Sequence, residues 1–189
     1  MTPNRSASLA AVALMGLMAA TRFHHFGDFR TLPDASLATF FLAGLFIARP
    51  AFFLVLLLEA GVIDFLAIRF GGVSGWCVTP AYLFLIPTYG VLWLAGRWCR
   101  PWPLDSAAAL GRTLAALAGA TVVAFLISNG SFYWLSGRFD DLSLAEYAGR
   151  VARYLPPYLG TTLAYGSLVL AGRWLWCQWR TTAVQPSSP

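Results

Sequence analysis

Long apolar runs alternate with short polar stretches along the chain. Six apolar segments can be delimited, at about Ser6–Thr21, Leu32–Ala48, Ala51–Ile68, Pro80–Gly96, Ala107–Ser128 and Tyr158–Cys177. Several of them approach the roughly 20 residues that a helix needs to cross a bilayer, although the second is short. The pattern therefore predicts an all-α membrane protein with six transmembrane helices in a single domain, residues 1–180, followed by a disordered tail, residues 181–189.

The polar stretches predict how these helices are joined. Arg49-Pro50 leaves almost no room between the second and third segments, so we expect a tight helical hairpin there. Asn129-Gly130 is a turn signal that should end the fifth segment. The first segment is expected to be a helix and not a signal peptide, because the sequence LMAAT is a poor cleavage site. With six spans both termini lie on one side, and the positive-inside rule gives a preference for the cytoplasmic side.

The longest connection, between the fifth and sixth segments, carries a helical pattern of its own. Ser143 and Glu146 have the spacing of a capping box. The apolar residues that follow recur on one helical face: Leu144, Ala148, Val151 and Leu155. Pro156-Pro157 should end this pattern. We therefore expect a short amphipathic helix lying across the outer mouth of the bundle.

Composition agrees with a lipid environment. The chain is 58% hydrophobic and 11% charged, whereas soluble domains carry roughly 25% charged residues. All 13 basic residues are arginine, and they are scattered at the ends of apolar segments. This distribution is typical of a membrane interface and does not indicate nucleic-acid binding. Because a Walker A loop needs its lysine, no ATP site of that kind is expected in this chain.

Three ionisable residues fall inside the predicted spans, where such groups are expensive and often functional. Glu59 lies near the middle of its segment, and we expect it to pair with Arg112 in the bundle. Asp64 lies one turn from the outer end of the same segment. It is either an interfacial partner of Arg69 or part of a site.

The stretch GGVSGWCVTPAY places Cys77 between glycines and a proline, where no helix can run. Thr79-Pro80 is a good helix start, so the cysteine should lie just ahead of a helix N-terminus, where the dipole favours the thiolate. Three glycines should remove bulk from the approach: Gly71, Gly72 and Gly75. Spacing alone leaves a structural cysteine equally open. Cys99 and Cys177 should lie at the opposite end of the bundle, so no disulfide is expected.

Three more residues are candidates to frame the same outer mouth. His25 belongs to an adjacent histidine pair, of which at most one can face a common site, and a plain surface histidine is the alternative. Tyr82 lies one turn into the fourth segment. Arg150 lies on the amphipathic helix, where an i,i+4 pair with Glu146 is the alternative to a role in binding.

Four stretches carry a family resemblance: TRFHHFGDF, VIDFLAIRFGGVSGWCVTPAY, LISNGSFYWLSGRF and AEYAGRVARYLPPYLG. They resemble the BtuM family of small bacterial membrane proteins, and the likeness covers essentially the whole chain. These are cobalamin transporters similar to the substrate-binding S-components of energy-coupling-factor (ECF) transporters, but encoded without a dedicated coupling module. The resemblance implies a six-helix S-component-like fold in the bacterial inner membrane, with the ligand bound on the extracytoplasmic side. A shared coupling module is a conceivable partner that the sequence does not require.

The resemblance also assigns roles to residues. It implies that Cys77 ligates the cobalt of cobalamin, and that His25, Asp64, Tyr82 and Arg150 surround the pocket. A soft thiolate is a competent cobalt ligand. A corrin ligand would also account for a set of aromatic residues expected at the mouth: Trp76, Tyr82, Phe132, Tyr133 and Trp134.

Two functions follow as expectations. The first is uptake of cobalamin, with base-free cobinamide as a second ligand and with cysteine-dependent decyanation of cyanocobalamin as an associated activity of Cys77. The second is a membrane thiol enzyme or tetrapyrrole-handling redox factor, in which Cys77 carries out the chemistry.

Overall fold

The computed structural model describes residues 3–23, 32–140 and 143–183, which form helices joined by turns and short connections. The α-helices are α1 Pro3–Arg22, α2 Ser36–Phe46, α3 Pro50–Phe70, α4 Leu85–Cys99, α5 Ala107–Leu135 and α6 Leu144–Ala183. Two 3-10 turns, Gly75–Cys77 and Pro80–Phe84, lie between α3 and α4. The prediction of an all-α fold is confirmed.

Two helices, α3 and α5, are long and apolar enough to cross a membrane. In α3 only 22% of the most apolar stretch is buried, and the large side chains of Leu54, Leu58 and Phe65 are exposed. The core helix of a soluble protein would hide such a face. The exposed apolar surface therefore indicates association with lipid.

The short second segment is the centre of the bundle. α2 has 11 residues, a length of about 16 Å, which is about half of the hydrocarbon core of a bilayer. Nearly all of it is buried, and it contacts each of the other five helices. The predicted segment Leu32–Ala48 was too long, because the residues before Ser36 are not helical. There the Asp34 carboxylate accepts a hydrogen bond from the Ser36 amide (2.9 Å).

The tight hairpin at Arg49-Pro50 is confirmed, since α2 ends at Phe46 and α3 begins at Pro50. Ala48 makes the reversal in the left-handed region, with a φ of 55°. Its amide donates to the carbonyl of Ala43 at 2.9 Å.

The last helix is longer than the sequence pattern predicts. Ser143 caps its first turn by accepting from the Glu146 amide (3.1 Å), as the capping-box spacing predicts. The separate amphipathic helix was wrong, however, because α6 runs without a break from Leu144 to Ala183 with Pro156 and Pro157 inside it. Each proline removes one amide donor, and packing of α6 against α5 compensates for the two lost backbone bonds. The predicted tail also began too early, and residues 184–189 lie outside the described part of the chain.

Two further boundaries differ from expectation. The stretch after Thr79 forms a 3-10 turn before α4 begins at Leu85, and the Thr79 side chain makes no capping bond. α5 continues through Asn129-Gly130 to Leu135. A larger residue would be crowded at this position, because a Cβ on Gly130 would lie 3.1 Å from the Tyr147 hydroxyl.

Candidate functional site

A cavity of about 680 Å³ opens at one end of the bundle. It lies at the ends of α1 and α3, at the start of α2, and beside the 3-10 turn Pro80–Phe84 that precedes α4. The later part of α5 and the first half of α6 form its other side. Ligand sites of this size are common in proteins. Four of the predicted site residues line it: Asp64, Cys77, Tyr82 and Arg150. The structure therefore brings together residues that are widely separated along the chain.

Asp64 is the polar anchor of the cavity, but its partner is not the predicted one. Its carboxylate accepts two hydrogen bonds from Arg22, Nε to Oδ1 and Nη2 to Oδ2, each at 2.7 Å. The Tyr82 hydroxyl donates to Oδ2 at 2.5 Å. The alternative pairing with Arg69 was wrong, because the bidentate geometry and burial favour the guanidinium of Arg22.

Arg22 is a residue of the site that sequence reasoning missed. Its side chain is completely buried, and Nη1 donates to Ser36 Oγ (2.9 Å) and to the Tyr89 hydroxyl (2.6 Å). Nη1 also lies 3.7 Å from Asp34 Oδ2. A terminal arginine after an apolar run is normally interfacial. The sequence gives no signal that Arg22 turns inward, because its partners come from three other helices.

Cys77 lies at the end of the turn Gly75–Cys77 and is half-buried. Burial raises the pKa of its thiol, the nearby Asp64 carboxylate raises it further, and the Arg138 guanidinium lowers it. The net effect of these neighbours is thus opposite to the thiolate that the position ahead of a helix start led us to expect. The turn that follows is a single 3-10 turn and not the first turn of a long α-helix, so desolvation is the larger effect. All three cysteines are free, as predicted.

Close packing and backbone conformation explain two of the three glycines before Cys77. A Cβ on Gly71 would clash with the Phe23 ring at 2.7 Å, and Gly72 has a φ of 68°. The space beside Gly72 is open, and a Cβ on Gly75 would lie at an ordinary 3.7 Å from Ile68. Packing accounts for Gly71 and backbone conformation for Gly72, while the interpretation that the three glycines clear an approach for a ligand stays a prediction.

Arg150 lines the cavity from α6. The alternative ion pair with Glu146 does not form within the described residues. Its guanidinium carbon lies 4.6 Å from the Phe139 ring centroid and 5.4 Å from that of Tyr154. Its Nε is buried and has no hydrogen-bond partner in the described part of the chain. Asn129 also lines the cavity, and its Oδ1 atom is likewise buried without a hydrogen-bond partner among the described residues. Buried polar atoms normally have partners, so these two atoms mark the part of the wall where a polar ligand group would find unsatisfied partners.

Other predicted residues are not brought together. His25 lies outside the described residues. Glu59 and Arg112 do not pair: Glu59 Oε2 is buried without a hydrogen-bond partner, and Arg112 stacks on Trp102 at 4.5 Å. They lie on different helices, α3 and α5. Of the predicted aromatic mouth, Trp76, Tyr82 and Phe132 line the cavity, whereas Tyr133 is buried behind it against Phe139 and Tyr147.

The described residues were also compared with the ligand sets that metal ions require. Among the described residues, no group of three or more His, Cys, Asp or Glu side chains can hold a metal ion.

In comparisons with known proteins, no family model matches the chain, and no curated protein matches it significantly.

Proposed function

We propose that this protein is a multi-pass carrier of the bacterial inner membrane that takes up cobalamin and related corrinoids. The observation that carries the proposal is the convergence of Asp64, Cys77, Tyr82 and Arg150 on one cavity. These are four of the five residues that the BtuM resemblance assigns to the pocket, and the fifth, His25, lies outside the described residues. Their convergence on one cavity therefore supports the resemblance.

The chemistry of the wall suits a large amphiphilic ligand. Its surface is mostly apolar, with the aromatic rings of Trp76 and Phe132 among the lining residues. Its polar groups lie at the floor, in the Arg22–Asp64 network, and on the side, at Arg150 and Asn129. A corrin has the same division, an apolar macrocycle with amide groups around its edge.

Cobalt is part of the cargo in this proposal. The Cys77 sulfur would occupy one axial position as thiolate, a soft ligand. The thiol must lose its proton on binding, because metals bind the thiolate. The nucleotide base or the upper ligand must leave to make room, so base-free cobinamide should bind at least as well as cobalamin.

The proposal is tested with protein purified in detergent from cells supplied with cobalamin. We expect the wild type to carry a corrin absorption spectrum and Cys77→Ser to lose most of the bound corrinoid. Cys177→Ser, an exposed cysteine at the other end of the bundle, is the matched control and should bind normally. Titration with cobinamide should displace the bound cobalamin, and cells that depend on this protein should accumulate radiolabelled cobalamin.

Two results would contradict the proposal. Cys77→Ser that co-purifies with cobalamin and has an unchanged cobalt spectrum would exclude thiolate ligation. A haem spectrum, or no chromophore in protein exposed to cobalamin, would favour the membrane thiol enzyme or redox factor instead.

A further inference from the structure

A second large concavity lies at the opposite end of the bundle. This groove has a volume of about 1230 Å³ and is bordered by the start of α1, the α2–α3 hairpin, the α4–α5 connection and the second half of α6. On α6, Tyr154 lines the cavity and Trp176 lines the groove. The two residues are about 33 Å apart along the helix axis, close to the thickness of a hydrocarbon core.

The groove has a strong positive charge. Arg49, Arg100 and Arg173 border it, against the single carboxylate of Asp105. All three arginines are exposed, and none of them forms an ion pair within the described residues. Arg173 lies over the ring of Phe46 at 5.5 Å. Unpaired guanidinium groups that converge on one concavity favour an anion with several oxygens, since arginine binds phosphate in a bidentate manner.

The remaining lining is that of a membrane interface. Trp102, Trp174 and Trp176 border the groove, and tryptophan is enriched where lipid headgroups meet the acyl chains. The Trp174 indole donates to the Asp105 carbonyl (3.2 Å), which fastens the α4–α5 connection to α6. The lining from α1 and α6 includes small residues, Ala7, Ala10 and Gly172, beside the apolar Val169, which leave room for an acyl chain.

We propose that this groove binds the headgroup of an anionic phospholipid, with the phosphate held by Arg100 and Arg173 and the acyl chains running between α1 and α6. Phospholipid is favoured over free phosphate because the apolar wall is continuous with the basic rim. Basic pockets between membrane helices are known to bind acidic headgroups in this manner. The inference rests on the membrane location proposed above, but it does not depend on the identity of the corrinoid or on Cys77.

The test is native mass spectrometry of the full chain in detergent, titrated with dioleoyl phosphatidylglycerol or dioleoyl phosphatidylcholine. We expect one phosphatidylglycerol to bind at least about tenfold more tightly than phosphatidylcholine. The double variant Arg100→Gln/Arg173→Gln should lose this preference. The control Arg69→Gln/Arg153→Gln removes the same charge from exposed positions at the cavity end and should keep it. Arg100→Lys/Arg173→Lys should retain part of it.

Three outcomes would overturn the inference. They are equal affinity for the two lipids in the wild type, equal loss of preference in the control variant, and complete displacement of phosphatidylglycerol by inorganic phosphate at matched concentration. Corrinoid binding, followed by visible spectrum in the same samples, reports separately on the proposed function. A variant that loses lipid and keeps corrinoid separates the two sites.

Discussion

Cys77 shows how neighbouring groups determine the chemistry of a single side chain. Its turn places the thiol in the cavity wall, where desolvation and the Asp64 carboxylate both disfavour the thiolate, and only Arg138 favours it. Arg138 is held nearby because its guanidinium carbon lies 4.3 Å from the centroid of the adjacent Trp76 ring. The ligand-free protein should therefore hold a protonated thiol at neutral pH.

This balance can be measured by alkylation. In a background of Cys99→Ser/Cys177→Ser, the rate of reaction of Cys77 with iodoacetamide should rise with pH and reach half of its maximum above the ordinary thiol value, because only the thiolate reacts. Arg138→Gln should move this midpoint upward, since it removes the one group that lowers the pKa. Arg138→Lys, which keeps the charge, should move it less. A midpoint below the ordinary value in the wild type would contradict the assignment.

A cobalt-bound thiolate should also affect the opposite face of the metal. The sulfur donates electron density to cobalt and weakens its bond to the ligand on the other side. We expect the wild type to release cyanide from cyanocobalamin. The nucleotide base leaves cobalt as the cobalt–sulfur bond forms on that face, and cyanide departs from the opposite face with the electron pair of its bond to cobalt, taking up the proton that the thiol releases. Cys77→Ala should not promote this exchange. The absorption bands of cyanocobalamin, followed over time, provide the measurement.

The control for this exchange is Glu59→Gln, since Glu59 lies on α3 and does not line the cavity. Equal loss of cyanide with and without Cys77 would make the cysteine a binding group only. Loss of exchange in Glu59→Gln would indicate a general defect in folding.

At the scale of elements, the crossing of α2 and α4 is the closest in the bundle. Gly44 faces the backbone of Trp93, and Gly96 faces the backbone of Phe41. Beside this crossing Phe40 stacks on Tyr89, with ring centroids 4.1 Å apart. The two glycines thus let the helices approach until backbone touches backbone, which places Tyr89 under the cavity.

Gly96→Ala should separate these two helices. The new methyl group would meet the Phe41 carbonyl, which cannot move without displacing α2. We expect a loss of about 1–3 kcal/mol, measured as a lower Tm in detergent. Gly90→Ala on the same helix is the matched control, because nothing lies within 4 Å of its added Cβ. An unchanged Tm for Gly96→Ala would show that the crossing is looser than described.

The positions of most helices could be predicted from the sequence, because long apolar runs are a local signal. The residues at which the helices begin and end could not be predicted in this way. Pro156-Pro157 is locally a helix stop, yet α6 continues because α5 packs along it. Thr79-Pro80 is locally a helix start, yet a 3-10 turn forms first. Among the site residues, Asp64, Cys77, Tyr82 and Arg150 were predicted, but the role of Arg22 depends on contacts that no local pattern contains.

At the scale of the whole molecule, Arg22 joins four helices. From α1 it bonds Ser36 on α2, Asp64 on α3 and Tyr89 on α4. These hydrogen bonds lie at the floor of the cavity. The same contacts therefore form the floor and hold the four helices together. A ligand that pulls on Asp64 or Tyr82 therefore acts on the packing of all four helices.

Arg22→Met should consequently destabilise the whole bundle. It removes one partner of a buried ion pair and leaves the Asp64 carboxylate without its charge complement, which typically costs about 3–5 kcal/mol. We expect a large fall in Tm in detergent together with loss of corrinoid. Arg22→Lys should be intermediate, because lysine keeps the charge but not the bidentate geometry. Arg69→Met, an exposed residue of α3, should leave the Tm nearly unchanged.

The inward position of Arg22 also has a consequence for biogenesis. A ribosome delivers α1 first, and the guanidinium at its end then has none of its final acceptors beside it. Ser36 follows soon, but Asp64 and Tyr89 emerge only with α3 and α4. In the membrane location proposed above, the first helix would hold its charge in the headgroup region until α4, which ends at Cys99, has been synthesised. The first four helices can therefore close only when about half of the chain has been made, and α5 and α6 are added to a unit that has only then acquired its floor.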